Sequence, residues 1–226
     1  MNFESDRVKI ATALAKCGEY YPSFTYPWKG LEAWMENSSL PQLPLVGYGS
    51  LISQASAERT INVDSQSRRK SVRAFGAKRI FNYRMPPSLL QERYHTPLSS
   101  PFVAALNCEA SGEAEDQFNG ILTHVDIDRL DPLREREKHY SLKPIVFTDW
   151  EKTDAELQTG YIFELLPNPS VKGYYPYDDS ILPHVEYVEL CRKGAAAISE
   201  SFLDFFDTTC ILADKTTTLS QYLKRR

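Results

Sequence analysis

The most informative stretch of the sequence is Leu45-Val46-Gly47-Tyr48-Gly49-Ser50-Leu51. Its apolar start predicts the end of a strand, and the two glycines that follow predict a tight turn. Successive backbone N–H groups in such a turn form a concavity that binds anions, and glycine allows a ligand to approach closely. Tyr48, Gly49, Ser50 and Leu51 are therefore candidates for holding a carboxylate or a developing oxyanion. The alternative interpretation is an ordinary turn at the end of a strand.

The residues after this turn predict a sheet followed by helices. Alternating or continuous apolar runs indicate strands at 102–108, 118–125, 145–150 and 157–165, and a half-exposed strand or a hairpin at 72–83. The polar connection SGEAED predicts that the strands at 102–108 and 118–125 form a hairpin. Helical patterns occupy 184–206, with a break expected near Gly194, and the C-terminal end. This order predicts an α+β fold with a mixed, largely antiparallel sheet and flanking helices.

Residues 1–42 are predicted as a separate N-terminal segment, and residues 43–226 as the main domain with a C-terminal helical extension. The segment begins with a pattern typical of an amphipathic helix and continues with EYYPSFTYPWKGLEAW, which is rich in aromatic residues. We expect this arm to pack its aromatic side chains onto the domain. These side chains are Tyr20, Phe24, Trp28 and Trp34. The alternative is a segment that binds a partner or covers an active site.

Composition excludes several classes of function. The 226 residues carry a net charge of −4, without the basic stripe typical of nucleic-acid binding. No apolar run is long enough to span a membrane, and the N-terminus lacks the features of a signal peptide, so we expect a cytoplasmic protein. The four cysteines form no C-x-x-C pair and are expected to be buried thiols. The four histidines lack ligand spacing, so neither a metal site nor a cofactor is expected.

A second feature is the charged segment LDPLREREKHY at 130–140. It predicts a helix on which Leu133, Glu137 and Tyr140 share an apolar face, whereas Glu135 points to solvent. Burial would raise the pKa of Glu137 towards neutrality, as a group that accepts and returns protons requires. Tyr140 is a secondary candidate for contacting a substrate. The alternative interpretation is a buried ion pair of the glutamate with Arg73, Arg79 or Arg84.

Two other groups of residues are weaker candidates. Asp178 and Asp179 lie in a predicted loop at 168–180, where they form either a carboxylate pair for acid–base chemistry or a solvated turn. The tyrosines between 161 and 187, which include Tyr187, either line a cleft or belong to the core.

The order of VGYGSLI and LDPLREREKHY, with RAFGAKRIFNY (73–83) between them, resembles the γ-glutamylcyclotransferase superfamily with its ChaC-like members. The resemblance implies an α+β fold with a mixed, partly closed, barrel-like sheet. It implies that Tyr48, Gly49, Ser50 and Leu51 hold a γ-glutamyl group and that Glu137 is the catalytic acid and base. The stretch MPPSLLQERYHTPLSS (85–100) lacks the R-G-x-x-x-x-P-G element of glutathione-specific members, which places glutathione specificity in question.

The resemblance implies an enzyme of glutathione metabolism or a related γ-glutamyl reaction that needs no cofactor. It would convert the γ-glutamyl group of a small peptide or amine to 5-oxoproline and release the amine. Because the nucleophile is the α-amine of the substrate itself, the protein has mainly to move protons. Two alternatives stay open, which are a non-catalytic binding or adaptor module and an amide hydrolase on the same fold. The sequence does not indicate an oligomeric state.

Overall fold

A computed structural model describes residues 3–61, 69–138, 140–152, 156–165 and 178–226. The strands form a closed barrel and a second sheet. The barrel has the order β1 (Gln42–Gly47), β5 (Gln117–Asp126), β2 (Lys70–Phe75), β6 (Tyr140–Asp149) and β7 (Gln158–Leu165). The second sheet has the order β8 (Leu182–Pro183), β4 (Phe102–Ala110), β3 (Ala77–Arg84) and β9 (Cys210–Leu212).

Most strand pairs are antiparallel. The parallel pairs are β1 with β7, β3 with β9 and β4 with β8. A largely antiparallel, partly closed, barrel-like sheet in an α+β fold is therefore confirmed. The strands predicted at 145–150 and 157–165 are also confirmed, as parts of β6 and β7.

Helices flank the two sheets. They are α1 (Phe3–Tyr20), α2 (Leu31–Asn37), α3 (Gln54–Ile61), α4 (Leu130–Arg136), α5 (Val185–Ala196), α6 (Glu200–Thr209) and α7 (Leu219–Lys224). Short helical turns occur at Ser50–Ile52 and Ile127–Arg129, and a π-helix at Leu89–Arg93. Within the described parts of the chain, no helix is both long and apolar enough to cross a membrane.

The predicted break between the two C-terminal helices is misplaced. It lies at residues 197–199, and α6 begins after Ser199, whose side chain accepts a hydrogen bond from the backbone N–H of Phe202. Gly194 lies inside α5 instead. A Cβ there would come within 2.8 Å of the backbone nitrogen of Ser53. The glycine therefore lets α5 pack directly on the chain that leaves the turn after β1.

The predicted hairpin at 102–125 is wrong. β4 pairs with β3, and β5 pairs with β1 and β2, so the chain changes sheets between them. β2 and β3 also lie in different sheets, on either side of Gly76. Gly76 has a φ of 87°, and its carbonyl accepts hydrogen bonds from the backbone N–H groups of Ser111 and Gly112. The two places where the chain passes from one sheet to the other are therefore joined by hydrogen bonds. A local alternation of apolar residues does not predict this contact.

The N-terminal segment packs closely on the barrel. Phe24 exchanges two backbone hydrogen bonds with Leu142 of β6, of 2.9 and 2.8 Å. Trp28 is fully buried, and Trp34 packs against the core, as predicted. Tyr20 was also expected to pack, but it is 66% exposed because it lies at the very end of α1. The division of the chain at residue 43 stays a prediction.

The four cysteines are free and buried, as predicted. Burial is also the main reason why the pKa of Cys108 is raised well above its usual value and that of Cys210 to about 12. These thiols are therefore protonated members of the core.

Candidate active site

The turn after β1 is fixed through its carbonyl groups. The carbonyl of Gly49 accepts the N–H of Ile52 at 2.9 Å, and that of Ser50 accepts the N–H of Ser53 at 3.2 Å. The carbonyl of Leu51 is bound by the guanidinium of Arg69. With its carbonyls occupied, the turn has a defined conformation in which Tyr48, Gly49 and Leu51 are buried and Ser50 is half-buried.

Arg79 supports this turn from beneath and is fully buried. Its Nη1 donates to the carbonyls of Tyr48 and Asn119, at 3.3 and 2.8 Å. Its Nη2 donates to the Asn119 side chain, to the Phe206 carbonyl and to Thr209 Oγ1. The guanidinium carbon also lies 4.1 Å from the centre of the Phe206 ring. The two Nη atoms of this buried cation are bound by neutral oxygens and the guanidinium lies over an aromatic face, whereas its Nε has no hydrogen-bond partner in the described part of the chain.

Gly49 does not have a left-handed conformation, since its φ is −122°. Its lack of a side chain instead allows Tyr187 to approach closely, because a Cβ at Gly49 would lie 2.5 Å from the hydroxyl oxygen of Tyr187. That hydroxyl is hydrogen-bonded by the backbone of Ser50 and of Leu106. The open concavity expected at this turn is thus partly filled by Tyr187 of α5.

Tyr48 points away from the turn into the barrel. Its hydroxyl donates to the carbonyl of Phe163 in β7 at 2.8 Å. Burial raises the pKa of Tyr48 well above its usual value, and the negative charge of Glu137 contributes to the same shift. Tyr48 and Glu137, which are far apart in the sequence, therefore lie near enough in the folded chain for the charge of Glu137 to act on Tyr48.

Glu137 caps the end of α4 and does not lie inside a longer helix. Its backbone N–H still bonds to the carbonyl of Leu133 at 2.9 Å, which keeps it on the predicted face. Its carbonyl then accepts the N–H of Tyr140 at 3.0 Å, in a turn that leads into β6. The helix predicted to reach residue 140 is therefore too long, because Tyr140 is recruited into strand pairing with Leu165.

The side chain of Glu137 is only 13% exposed, whereas that of Glu135 is 72% exposed and pairs with Lys138. Burial raises the pKa of Glu137 to about 7, and the positive charge of Arg136 acts against this shift. Arg136 Nε lies 3.4 Å from the Glu137 carboxylate. A carboxyl group with this pKa exchanges its proton readily near neutral pH.

The charge of Glu137 acts on two tyrosines, Tyr48 and Tyr140. Burial raises the pKa of Tyr140 well above its usual value, and the charges or dipoles of Tyr83, Tyr48 and Glu137 add to the shift. The rings of Tyr83 and Tyr140 contact each other edge to face, with centres 5.7 Å apart. Tyr140 therefore remains protonated near neutral pH, and its hydroxyl can donate a hydrogen bond.

The surroundings of Glu137 are rich in positive charge. Burial lowers the pKa of Arg136, and so do the charges of Arg93 and Arg59, which lie on other helical elements. Of the arginines expected as ion-pair partners of Glu137, Arg79 binds the turn and Arg84 pairs with Asp178. Arg73 lies about 5 Å from the ring centres of both Trp150 and Phe205. The recorded ion pair of Glu137 is instead with its neighbour Arg136.

No protein-family model matches the chain, and no curated protein matches it. Several solved structures, however, match the chain. A γ-glutamyl cyclotransferase superposes with a TM-score of 0.52 at 13% identity, covering 81% of this chain and 96% of that one. The chain has the γ-glutamyl cyclotransferase fold.

Two further structures have this fold. An uncharacterized protein from Homo sapiens has a TM-score of 0.53 at 13% identity, covering 82% of this chain and 97% of that one. YkqA from Bacillus subtilis has a TM-score of 0.50 at 14% identity, covering 76% of this chain and 55% of that one. At these identities the likeness establishes the fold alone, and the chemistry has to be argued from the residues.

Of the predicted site residues, Tyr48 and Tyr140 lie where the charge of Glu137 acts on them, and their roles in binding or catalysis stay a prediction. Sequence reasoning missed Tyr83, although this residue ends the RAFGAKRIFNY segment, and it left open whether Tyr187 belongs to the core or lines a cleft.

Asp178 bonds to Arg84 and Ser180, and the hydrogen bond from Ser180 is the main cause that lowers its pKa to about 2. It is therefore not poised for proton transfer. Residues 168–177 of this predicted loop lie outside the described residues.

Proposed function

We propose that the protein is a γ-glutamyl cyclotransferase-type enzyme. It would convert the γ-glutamyl group of a small peptide or amine to 5-oxoproline and release the amine, without a cofactor. The observation that carries this proposal is the carboxyl group of Glu137, which is only 13% exposed, whose pKa burial raises to about 7, and whose charge acts on Tyr48. The shared fold supports the proposal but does not by itself identify a substrate.

The reaction needs one group that moves protons. The α-amine of the substrate attacks its own γ-carbonyl carbon, and a new C–N bond closes a five-membered ring. The carboxylate of Glu137 accepts the proton from the attacking nitrogen and then gives a proton to the leaving nitrogen as the original amide bond breaks. The products are 5-oxoproline and a free amine, so atoms and charge balance. Proton transfer of this kind contributes roughly 10²–10⁴-fold to a rate.

We propose that Tyr48, Gly49, Ser50 and Leu51 bind the γ-glutamyl group through the turn and that Tyr140 donates a hydrogen bond nearby. Ring closure within one molecule reaches an effective molarity of about 10⁵ M or more when the reacting atoms are well oriented. Holding the substrate in a bent conformation is therefore the main demand on the turn. A substrate oxygen at the Ser50 N–H would share that position with the hydroxyl of Tyr187.

The test is an assay of the purified protein with γ-glutamyl-alanine, γ-glutamyl-lysine, a γ-glutamyl polyamine and glutathione. Release of 5-oxoproline from at least one of them, in equal amount to the free amine, is the expected result. Free glutamate in place of 5-oxoproline would identify a hydrolase. Binding without any product would identify a non-catalytic module, and either outcome overturns the proposal.

A further inference from the structure

Trp28 of the N-terminal segment contacts the residues that place Glu137. Its indole Nε1 donates to the carbonyl of Tyr140 at 2.9 Å. Its ring stacks on Phe163, with ring centres 5.8 Å apart and planes inclined by 25°. Because the side chain is fully buried, these contacts are shielded from water.

The Tyr140 contact acts on the turn that carries Glu137. The N–H of Tyr140 donates to the carbonyl of Glu137, while the carbonyl of Tyr140 accepts the indole N–H. Tyr140 is thus held by hydrogen bonds on both sides. Loss of the indole bond would leave the Tyr140 carbonyl without this donor and would weaken the connection between the N-terminal segment and the turn that carries Glu137.

The Phe163 contact reaches the other half of the site. The carbonyl of Phe163 accepts the hydroxyl of Tyr48, and its ring lies 5.8 Å from that of Tyr140. Trp28 therefore packs at the residue that links the turn after β1 to the turn before β6.

The N-terminal segment also holds α4 at a second place. Arg134 of α4 forms an ion pair with Glu32 of α2, and its guanidinium lies 5.8 Å from the centre of the Trp28 ring. Leu31 and Met35 of α2 are fully buried. The helix that ends at Glu137 is thus attached to the N-terminal segment by a charge pair as well as by packing.

We propose that Trp28 is a positioning residue for Glu137, so that the N-terminal segment completes the active site. This inference rests on the proposed function, since it concerns the efficiency of the same carboxylate. The interaction to which we assign this positioning is the hydrogen bond from the indole N–H to Tyr140, and not the bulk of the ring.

Trp34 provides a matched control. It belongs to the same segment and is also packed among aromatic rings, namely those of Tyr21, Phe24 and Tyr161. None of these three rings belongs to the turn between Glu137 and Tyr140. A purely structural role for the aromatic arm predicts that both tryptophans behave alike.

The experiment compares full-length Trp28→Phe and Trp34→Phe with the unaltered protein. We expect Trp28→Phe to lower kcat by about 10-fold or more, with little change in KM, because small misplacements of a catalytic group are costly. The acidic limb of its pH–rate profile should also move to lower pH, since a looser turn admits water to Glu137. Trp34→Phe should leave kcat and the profile within about two-fold of the unaltered protein.

A second variant separates the hydrogen bond from the packing. Benzothienylalanine at position 28 retains the shape of the indole but lacks its N–H, so it should reproduce the loss of kcat even where Trp28→Phe folds poorly. Equal behaviour of the two tryptophan variants, or full activity with the sulfur analogue, would overturn the inference.

The inference remains testable without turnover. The pKa of Glu137 is measured by NMR titration of the protein labelled at the glutamate carboxyl carbons, with Glu137→Gln to assign its signal. A fall in this pKa on Trp28→Phe but not on Trp34→Phe supports positioning even if no substrate is converted. An unchanged pKa in an active Trp28 variant overturns positioning and leaves the proposed function intact.

Discussion

The turn after β1, which begins with Tyr48, and the turn between α4 and β6, which carries Glu137, are stabilised in different ways. The first is held mainly by hydrogen bonds to its backbone, one of them from the fully buried Arg79, and a Cβ at Gly49 would lie 2.5 Å from the Tyr187 hydroxyl oxygen. The second is held by the backbone hydrogen bonds of Glu137 and Tyr140, by the indole hydrogen bond of Trp28 and by a partly exposed ion pair between Arg136 and Glu137. This difference indicates that the turn after β1 is the rigid half of the site, suited to binding. In the other half, at the turn before β6, burial and nearby charge set the proton affinity of Glu137.

The largest expected effect belongs to the second turn. Glu137→Gln should lower kcat by about 10³-fold, within the roughly 10²–10⁴-fold range of proton-transfer catalysis, because an amide cannot accept the proton. The fold should persist, since the substitution is isosteric and removes a buried charge. The measurement is 5-oxoproline release with the best substrate, alongside the thermal unfolding transition.

Glu135→Gln is the control for this loss. Its carboxylate is exposed and pairs with Lys138 at 2.9 Å, so activity should stay within about two-fold of the unaltered protein. Equal losses of activity in Glu135→Gln and Glu137→Gln would show that activity depends on the charge of the segment and not on the burial of Glu137.

The next effect tests the rigid half. Arg79→Met should lower the free energy of unfolding by about 3 kcal/mol, because the carbonyls of Tyr48, Asn119 and Phe206 lose a buried donor. Folded protein should show a raised KM and a nearly unchanged kcat, since the turn that we propose binds the substrate would loosen while Glu137 keeps its place. Denaturant unfolding and steady-state kinetics measure the two effects.

Arg73→Met is the matched variant, because Arg73 stacks on Trp150 and Phe205 away from the turn. It should cost only about 1 kcal/mol of unfolding free energy and leave KM unchanged. A lowered kcat at unaltered KM in Arg79→Met would mean that the first turn acts in the chemical step.

The comparison also explains which parts of the site the sequence predicts. The burial of Glu137 follows from its spacing to Leu133 in one helical turn, so a local pattern is sufficient. Tyr140 was predicted on the same helix, but pairing of β6 with β7 ends that helix early. Pairing between distant strands leaves no local signature, and the same reason defeats the predicted hairpin at 102–125.

The role of the N-terminal segment was equally hidden. The bond from Trp28 to Tyr140 joins positions 112 residues apart. A sequence rich in aromatics predicts that such an arm docks, which is correct for Phe24, Trp28 and Trp34. It does not indicate which backbone carbonyl the arm will reach, because that depends on the closed barrel.

The smallest effect concerns proton affinity at the second turn. The positive charge of Arg136 favours the ionised form of Glu137 and so lowers a pKa that burial raises to about 7. In Arg136→Met this lowering is lost, so the pKa of Glu137 should rise above about 7. The acidic limb of the pH–rate profile should move to higher pH, with activity reduced at neutral pH and recovered in more alkaline buffer.

Lys138→Met provides the control, because Lys138 pairs with Glu135 on the exposed side of the same segment. Its profile should match that of the unaltered protein, and so should that of Arg79→Met, whose guanidinium binds the other turn. A shift of the Arg136→Met limb to lower pH would mean that loss of the long side chain admits water to Glu137. In that case the side chain of Arg136 mainly shields the carboxylate of Glu137 from water. Burial rather than charge would then determine the pKa of Glu137.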